Sequence, residues 1–207
     1  MCIMKRDATI TLTETAFKLG IPKHEIIYLC EKQVIIPVVD AKGRGSSRLF
    51  SEQNIFELLL ALELKKYNIS THTITIFVRL LKKFVKIIEK QFDENFLDQI
   101  TNKQFQFFLM IQDGEFAYFR MTFPGKQSKG QSEKILIGLD LNKLEAFYQQ
   151  KSSEEHEQKS PKWRNLTLAA RFGIPDDIVI PGGKIKSGPC SSRLEINLSE
   201  LAKNSYI

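Results

Sequence analysis

The chain has 207 residues, 43% of them apolar, with three cysteines and a formal charge of +6. That length is long for one domain and ample for two small ones, with enough apolar side chain for buried cores. No run approaches the roughly 18 consecutive apolar residues of a membrane helix. No apolar stretch follows the charges of Met1–Arg6 as it would in a signal peptide, and Cys2, Cys30 and Cys190 form no Cys-x-x-Cys pair. These features predict a cytoplasmic protein in a reducing compartment.

The charge is unevenly spread. Residues 1–92 hold 15 Lys+Arg against 9 Asp+Glu, and residues 93–207 hold 15 of each. The first part is therefore expected to meet an anion, either nucleic acid or an acidic membrane surface.

Thr11-Leu-Thr-Glu14 has the form of a capping box. Leu12, Ala16 and Leu19 then recur at helical spacing, and Gly20 is placed to end the helix in a left-handed conformation. Pro22 suits the entry of a second helix, from about Lys23 to Lys32. Ile27 and Cys30, with Ile26, are expected inside; Lys23, His24, Tyr28 and Lys32 are expected outside. Two short helices across such a turn predict a helix-turn-helix, whose second helix enters the major groove. An ordinary exposed helix surface is the alternative for His24 and Tyr28.

Val34 to Val39 is β-branched around Pro37, which forbids a helix there. Lys42-Gly-Arg44-Gly-Ser-Ser47-Arg48 follows, and Leu49-Phe50 returns as a short strand. Nothing in that loop can build a core. Its cations suit a polyanion and its glycines permit a tight turn, which predicts a basic wing lying on a nucleic-acid backbone. A solvated basic loop is the plain alternative. Ser51 then caps a helix lined by Ile55, Leu58, Leu59, Leu62 and Leu64, with Asn68 at its end.

This order resembles the MerR family of bacterial transcriptional regulators over about residues 8–90. Ala16, Gly20-Ile21, Glu31, Pro37 and Arg48-Leu49-Phe50-Ser51 carry the resemblance. Tyr28 stands where that family usually has arginine, Cys30 where it has tyrosine, and Ser47 departs from its Gly-Tyr-Arg wing. The resemblance implies a homodimer that distorts promoter DNA to control RNA polymerase. The candidate DNA-binding residues are Lys23, His24 and Tyr28 on the second helix and Lys42, Arg44, Ser47 and Arg48 on the wing.

Thr71 to Gln91 reads as one long helix, with Ile74, Phe77, Leu80, Phe84 and Ile87 on a stripe and four lysines opposite. By the resemblance, Phe77, Leu80, Phe84 and Ile87 form the dimer seam. Packing against the chain's own C-terminal half is the alternative. A connector follows, and the periodicity then switches to that of strands. Gln104–Gln112 and Glu115–Phe123 flank Asp113-Gly114, a two-residue hairpin signal. That turn would set Ile111 opposite Phe116 and Leu109 opposite Tyr118. Both hairpin faces are apolar, which fits a sheet covered on both sides or, less simply, a ligand pocket at Phe107 and Tyr118.

Ile135–Leu141 predicts a strand and Asn142–Gln150 a helix. Residues 151–162 read as a mobile linker, residues 166–172 as a further element, and residues 175–189 as a Pro/Gly loop. Arg193–Leu198 predicts a strand, and Ser199 a cap on a last helical turn. His156 lies among glutamates but has no second imidazole or thiolate near it, so no metal site is expected. No phosphate-binding glycine loop, dinucleotide fingerprint or nucleophile elbow occurs.

The predicted fold class is α+β: a MerR-like winged helix-turn-helix (residues 1–70), a long dimerisation helix and connector (71–103), and a small α+β domain with an antiparallel hairpin (104–207). The expected function is a non-enzymatic, cofactor-free regulator binding double-stranded DNA. The alternatives are an architectural or phage DNA-binding protein, and a ligand-binding C-terminal domain tethered to DNA.

Overall fold

The computed structural model describes residues 8–41, 46–92, 94–102, 105–123, 133–154, 178–181 and 190–206. Lys42, Arg44, His156 and the element expected at 166–172 lie outside them. The protein is α+β and divides into two compact units, Met1–Thr101 with Glu200–Ile207, and Asn102–Ser199. The division falls close to the expected boundary, but the last eight residues go with the first unit.

In the first unit, β1 (Thr9–Thr11) leads into α1 (Leu12–Leu19). The capping box forms: the Glu14 N–H donates to Thr11 Oγ1, and the Thr11 N–H donates to Glu14 Oε2 at 2.7 Å. Gly20 ends the helix at φ 64°, and the Ile21 N–H closes the turn on the Ala16 carbonyl. α2 (Lys23–Glu31) buries Ile26, Leu29 and Cys30, while Ile27 is only half-buried.

The segment expected as a paired strand at 34–39 makes a single bridge, Val39 with Leu49. The partner of β2 (Leu49–Ser51) is instead β1, antiparallel, with Thr11 opposite Leu49. Pro37 lacks an N–H for a ladder, whereas Thr9–Thr11 can supply the β-branched edge.

α3 (Glu52–Lys66) starts at a second capping box, between Ser51 and Asn54. It buries Ile55, Phe56, Leu58, Leu60, Ala61 and Leu64, so it is enclosed nearly all round rather than along the predicted stripe. Asn68 follows at φ 56°, the left-handed stop its side chain tolerates. α4 (Thr71–Phe92) packs on α3, and α5 (Phe96–Thr101) brings Phe96 within 6.2 Å of the Phe56 ring.

Phe77 and Leu80 are 1% and 2% exposed in the single chain. Side chains so enclosed have no surface to offer a second copy, so they do not make the open stripe expected of a dimer seam. Phe84 is half-buried, and the Ile87 side chain lies outside the described residues.

The second unit holds β3 (Gln106–Gln112), β4 (Phe116–Thr122), β5 (Glu133–Asp140), α6 (Leu141–Glu154), β6 (Val179–Pro181) and β7 (Arg193–Asn197). They form an antiparallel sheet in the order β6-β5-β4-β3-β7. β6 occupies part of the stretch read as a Pro/Gly loop, where Val179-Ile180 is β-branched enough to pair with β5. α6 continues through Lys151–Glu154, read from sequence as linker.

The hairpin register differs by one residue from the expected one. Gln112 pairs with Phe116, so residues 113–115 separate the strands. Asp113 and Gly114 are left-handed, at φ 53° and 69°, and the Glu115 N–H reaches the Gln112 carbonyl at 2.9 Å. Neighbouring chain claims the extra residue: the Glu115 carbonyl accepts from the Leu141 N–H at 2.7 Å. A one-residue slip exchanges the faces of a strand. Phe107, Leu109, Ile111, Ala117, Phe119 and Met121 therefore share one face, with the Phe107 and Phe119 rings stacked at 5.5 Å. Phe108, Met110 and Tyr118 form a buried cluster on the other, with the Arg120 guanidinium 4.7 Å from the Phe108 ring centre. Phe107 and Tyr118 thus lie on opposite faces and line no common pocket.

β7 runs directly into α7 (Leu198–Lys203). Ser199 lies inside that helix, where its hydroxyl accepts from the Phe107 N–H at 2.9 Å instead of capping. In the first unit, the Tyr206 hydroxyl donates to Asp98 Oδ1 at 3.0 Å and meets Thr101 Oγ1 at 2.8 Å, and Lys18 Nζ donates to the Tyr206 carbonyl.

Candidate nucleic-acid interface

Three segments far apart in sequence converge beside the start of α2. The end of β1 and the first turn of α1 contribute Thr11 and Thr13, α2 contributes Lys23 at its first position, and the return of the basic loop contributes Ser46, Ser47 and Arg48. They line a cleft of about 260 Å³. The convergence follows from local rules. The β1–β2 pairing sets Thr11 against Leu49, and the Leu12 N–H donates to the Arg48 carbonyl at 3.2 Å. The Gly20–Pro22 turn then opens α2 at Lys23, which lines the same cleft.

Lys23, Ser46 and Ser47 are exposed, while the Arg48 side chain is only 17% exposed. Arg48 Nε donates to Asp40 Oδ1 at 2.7 Å, and the same oxygen accepts from the Ala41 N–H at 2.8 Å. The hydrogen bond from Arg48 holds the Asp40 carboxyl below its usual range, helped by the Ala41 N–H. The carboxylate in turn makes the guanidinium harder to deprotonate. An ammonium, a guanidinium and two serine hydroxyls around one cleft suit a phosphodiester oxygen better than any apolar ligand.

His24 and Tyr28 do not line this cleft, although both are exposed on α2. Tyr28 leans toward the junction of α3 and α4. Its hydroxyl lies 3.3 Å from Thr71 Oγ1, and Lys32 Nζ and Lys65 Nζ each sit 5.9 Å from its ring centre. Of the seven candidate contacts, Lys23, Ser47 and Arg48 are brought together, His24 and Tyr28 stand apart, and Lys42 and Arg44 lie outside the described residues.

Sequence reading missed Asp40, Thr11 and Thr13. Asp40 had one visible signal, a carboxylate on the far side of the glycine loop from Arg48. Cys30, beneath the site, is buried and its thiol is pushed up to about 11, chiefly by desolvation. It is therefore protonated at neutral pH and a poor nucleophile. Among the described residues, no group of three or more His, Cys, Asp or Glu is placed to hold a metal, and no helix is long and apolar enough to cross a membrane.

The chain matches no protein-family model and no curated protein.

Proposed function

We propose that the protein is a non-enzymatic, sequence-specific DNA-binding transcriptional regulator whose first unit works as a MerR-like winged helix-turn-helix. The carrying observation is the cleft at which Lys23, Ser47 and Arg48 converge from α2 and the basic loop. In this reading α2 enters the major groove while the cleft holds the adjacent backbone; phosphate contacts position the protein and base contacts specify the site. The excess positive charge of residues 1–92 supplies the long-range attraction. The protein acts as a homodimer on promoter DNA, with RNA polymerase as its further partner.

Selection of bound fragments from sheared source-genome DNA tests the reading. One enriched site near a promoter is expected, with affinity falling steeply with salt. At a log–log slope of about −0.9 per neutralised phosphate, several contacts give roughly −4 or steeper. A flat salt response, or no enrichment over random fragments, overturns it.

A further inference from the structure

We infer that Asp40 is a positioning residue for DNA contact: it holds the Arg48 guanidinium by its Nε so that the Nη edge is presented to a backbone phosphate. The inference rests on the proposed DNA-binding function and assigns a role to an acidic residue that, by charge alone, ought to weaken that function.

The geometry favours positioning over simple repulsion. Asp40 Oδ1 is fixed from two sides, by the Ala41 N–H at 2.8 Å and by Arg48 Nε at 2.7 Å. The carboxylate itself is 64% exposed, whereas the Arg48 side chain is 17% exposed. The arginine stem is therefore held by its surroundings and only its head remains to be oriented. A guanidinium is a planar fork whose donors point in fixed directions, so bonding at Nε determines where the two Nη groups point. Arg48 lines the cleft together with Lys23 and Ser47. An oriented Nη edge there can take a phosphodiester oxygen with less side-chain ordering left to do on binding. The contrary role, a carboxylate that occupies Arg48 and must be displaced by DNA, predicts the opposite response.

The test is equilibrium binding of the full chain to random-sequence double-stranded DNA across a salt series, because a phosphate contact counts on any sequence. Asp40→Ala removes a negative charge, yet it is expected to lower affinity about tenfold, the size of one charge-assisted hydrogen bond. The salt slope should become shallower by about 0.9, one phosphate contact. Asp40→Asn keeps the accepting Oδ1 without the charge, so it is expected to retain the wild-type slope and at least wild-type affinity. In an Arg48→Ala background, Asp40→Ala should have no further effect. Circular dichroism should show the two Asp40 variants folded, since Asp40 is a surface residue, and the Arg48→Ala comparison is read only if that variant has the same spectrum. If Asp40→Ala binds as tightly as the wild type or tighter with an unchanged slope, Asp40 is a brake or a bystander and the inference fails while DNA binding stands. If the wild-type chain itself shows no salt-dependent binding, the proposed function fails and this inference falls with it.

Discussion

The Glu57 carboxylate, fully buried in α3, meets the Lys82 ammonium of α4 at 3.0 Å. Gln53 Nε2 donates to it at 3.1 Å and Asn54 Nδ2 at 3.4 Å. Desolvation raises the Glu57 pKa, and Lys82 opposes that rise. The pair joins the two longest helices of the first unit across a packed interface, where an ion pair stands only if both charges remain.

Lys82→Met is therefore expected to destabilise the protein by about 3–5 kcal/mol at neutral pH, the usual result of leaving one buried charge alone. The sign of the pH dependence follows from the direction of the shift. An acid whose folded pKa lies above its unfolded value binds its proton more tightly when folded, so its contribution favours folding at low pH and is lost as pH rises through the folded pKa. Without Lys82 the rise is larger. The variant should recover part of its stability on acidification from pH 7 toward about pH 5, within the window opened by the raised Glu57. Urea unfolding of both proteins at the two pH values measures this. An equal loss at both would mean Glu57 is not the group left stranded.

Much of the first unit was legible because its signals are local. The Thr11–Glu14 box, the left-handed stop at Gly20, the Ser51 cap and the stop at Asn68 each depend on a few adjacent residues. Long-range pairing was not legible. Nothing near Thr11 announces Leu49 as its neighbour, and nothing near Glu57 announces Lys82. The hairpin shows the same limit: Asp113-Gly114 marked the turn, but the register depends on Leu141 and Ser192, which reach it from elsewhere in the chain. In the candidate site, the cations were visible as charges, whereas the pairing of Asp40 with Arg48 exists only in the folded chain.

Gly114 and Asp113 offer a direct check on that turn. Gly114→Ala is expected to cost about 1–2 kcal/mol for a left-handed residue that gains a Cβ. No steric cost adds to it, since nothing lies within 4 Å of the new atom. Asp113 also gathers the Ser191 hydroxyl and the Ser192 N–H, each at 2.7 Å, and these bonds lower its pKa. A depressed carboxylate stabilises above its unfolded pKa and loses that effect as pH falls through the folded one. Asp113→Asn should thus lose stability at neutral pH but differ little from wild type in strong acid. Thermal melts along a pH series decide it; a constant difference at all pH values would remove the ionised carboxylate from the account.

The dimer proposed for the regulator needs a seam other than Phe77 and Leu80, because both are buried in one chain. Phe77→Glu is expected to unfold the protein outright, since it sets a charge in an apolar interior. Phe84 is half-buried, and Phe84→Glu is expected to leave a folded chain. Light scattering on that variant then reports the seam. A folded monomer would place α4 at the interface around Phe84, and an unchanged dimer would place the interface elsewhere. A folded Phe77→Glu protein would contradict the burial described here.

Tyr206 ties the C-terminal residues to α5, which explains why residues 200–207 belong with the first unit and not with the sheet that precedes them. Its hydroxyl donates to Asp98 at 3.0 Å and meets Thr101 at 2.8 Å. Burial is the main cause of its raised pKa. Tyr206→Phe removes the hydroxyl and keeps the ring, so the expected loss at neutral pH is about 1 kcal/mol, near the net worth of a hydrogen bond. A raised phenol pKa means the folded chain holds the proton longer than the unfolded one. The contribution is therefore complete below the unfolded value of about 10 and is lost as pH climbs through the folded value. The wild type should accordingly approach the variant's stability as pH rises past that point, and the gap between their melting curves should close. No gap at neutral pH would show that the ring, and not the hydroxyl, holds residues 200–206 in place.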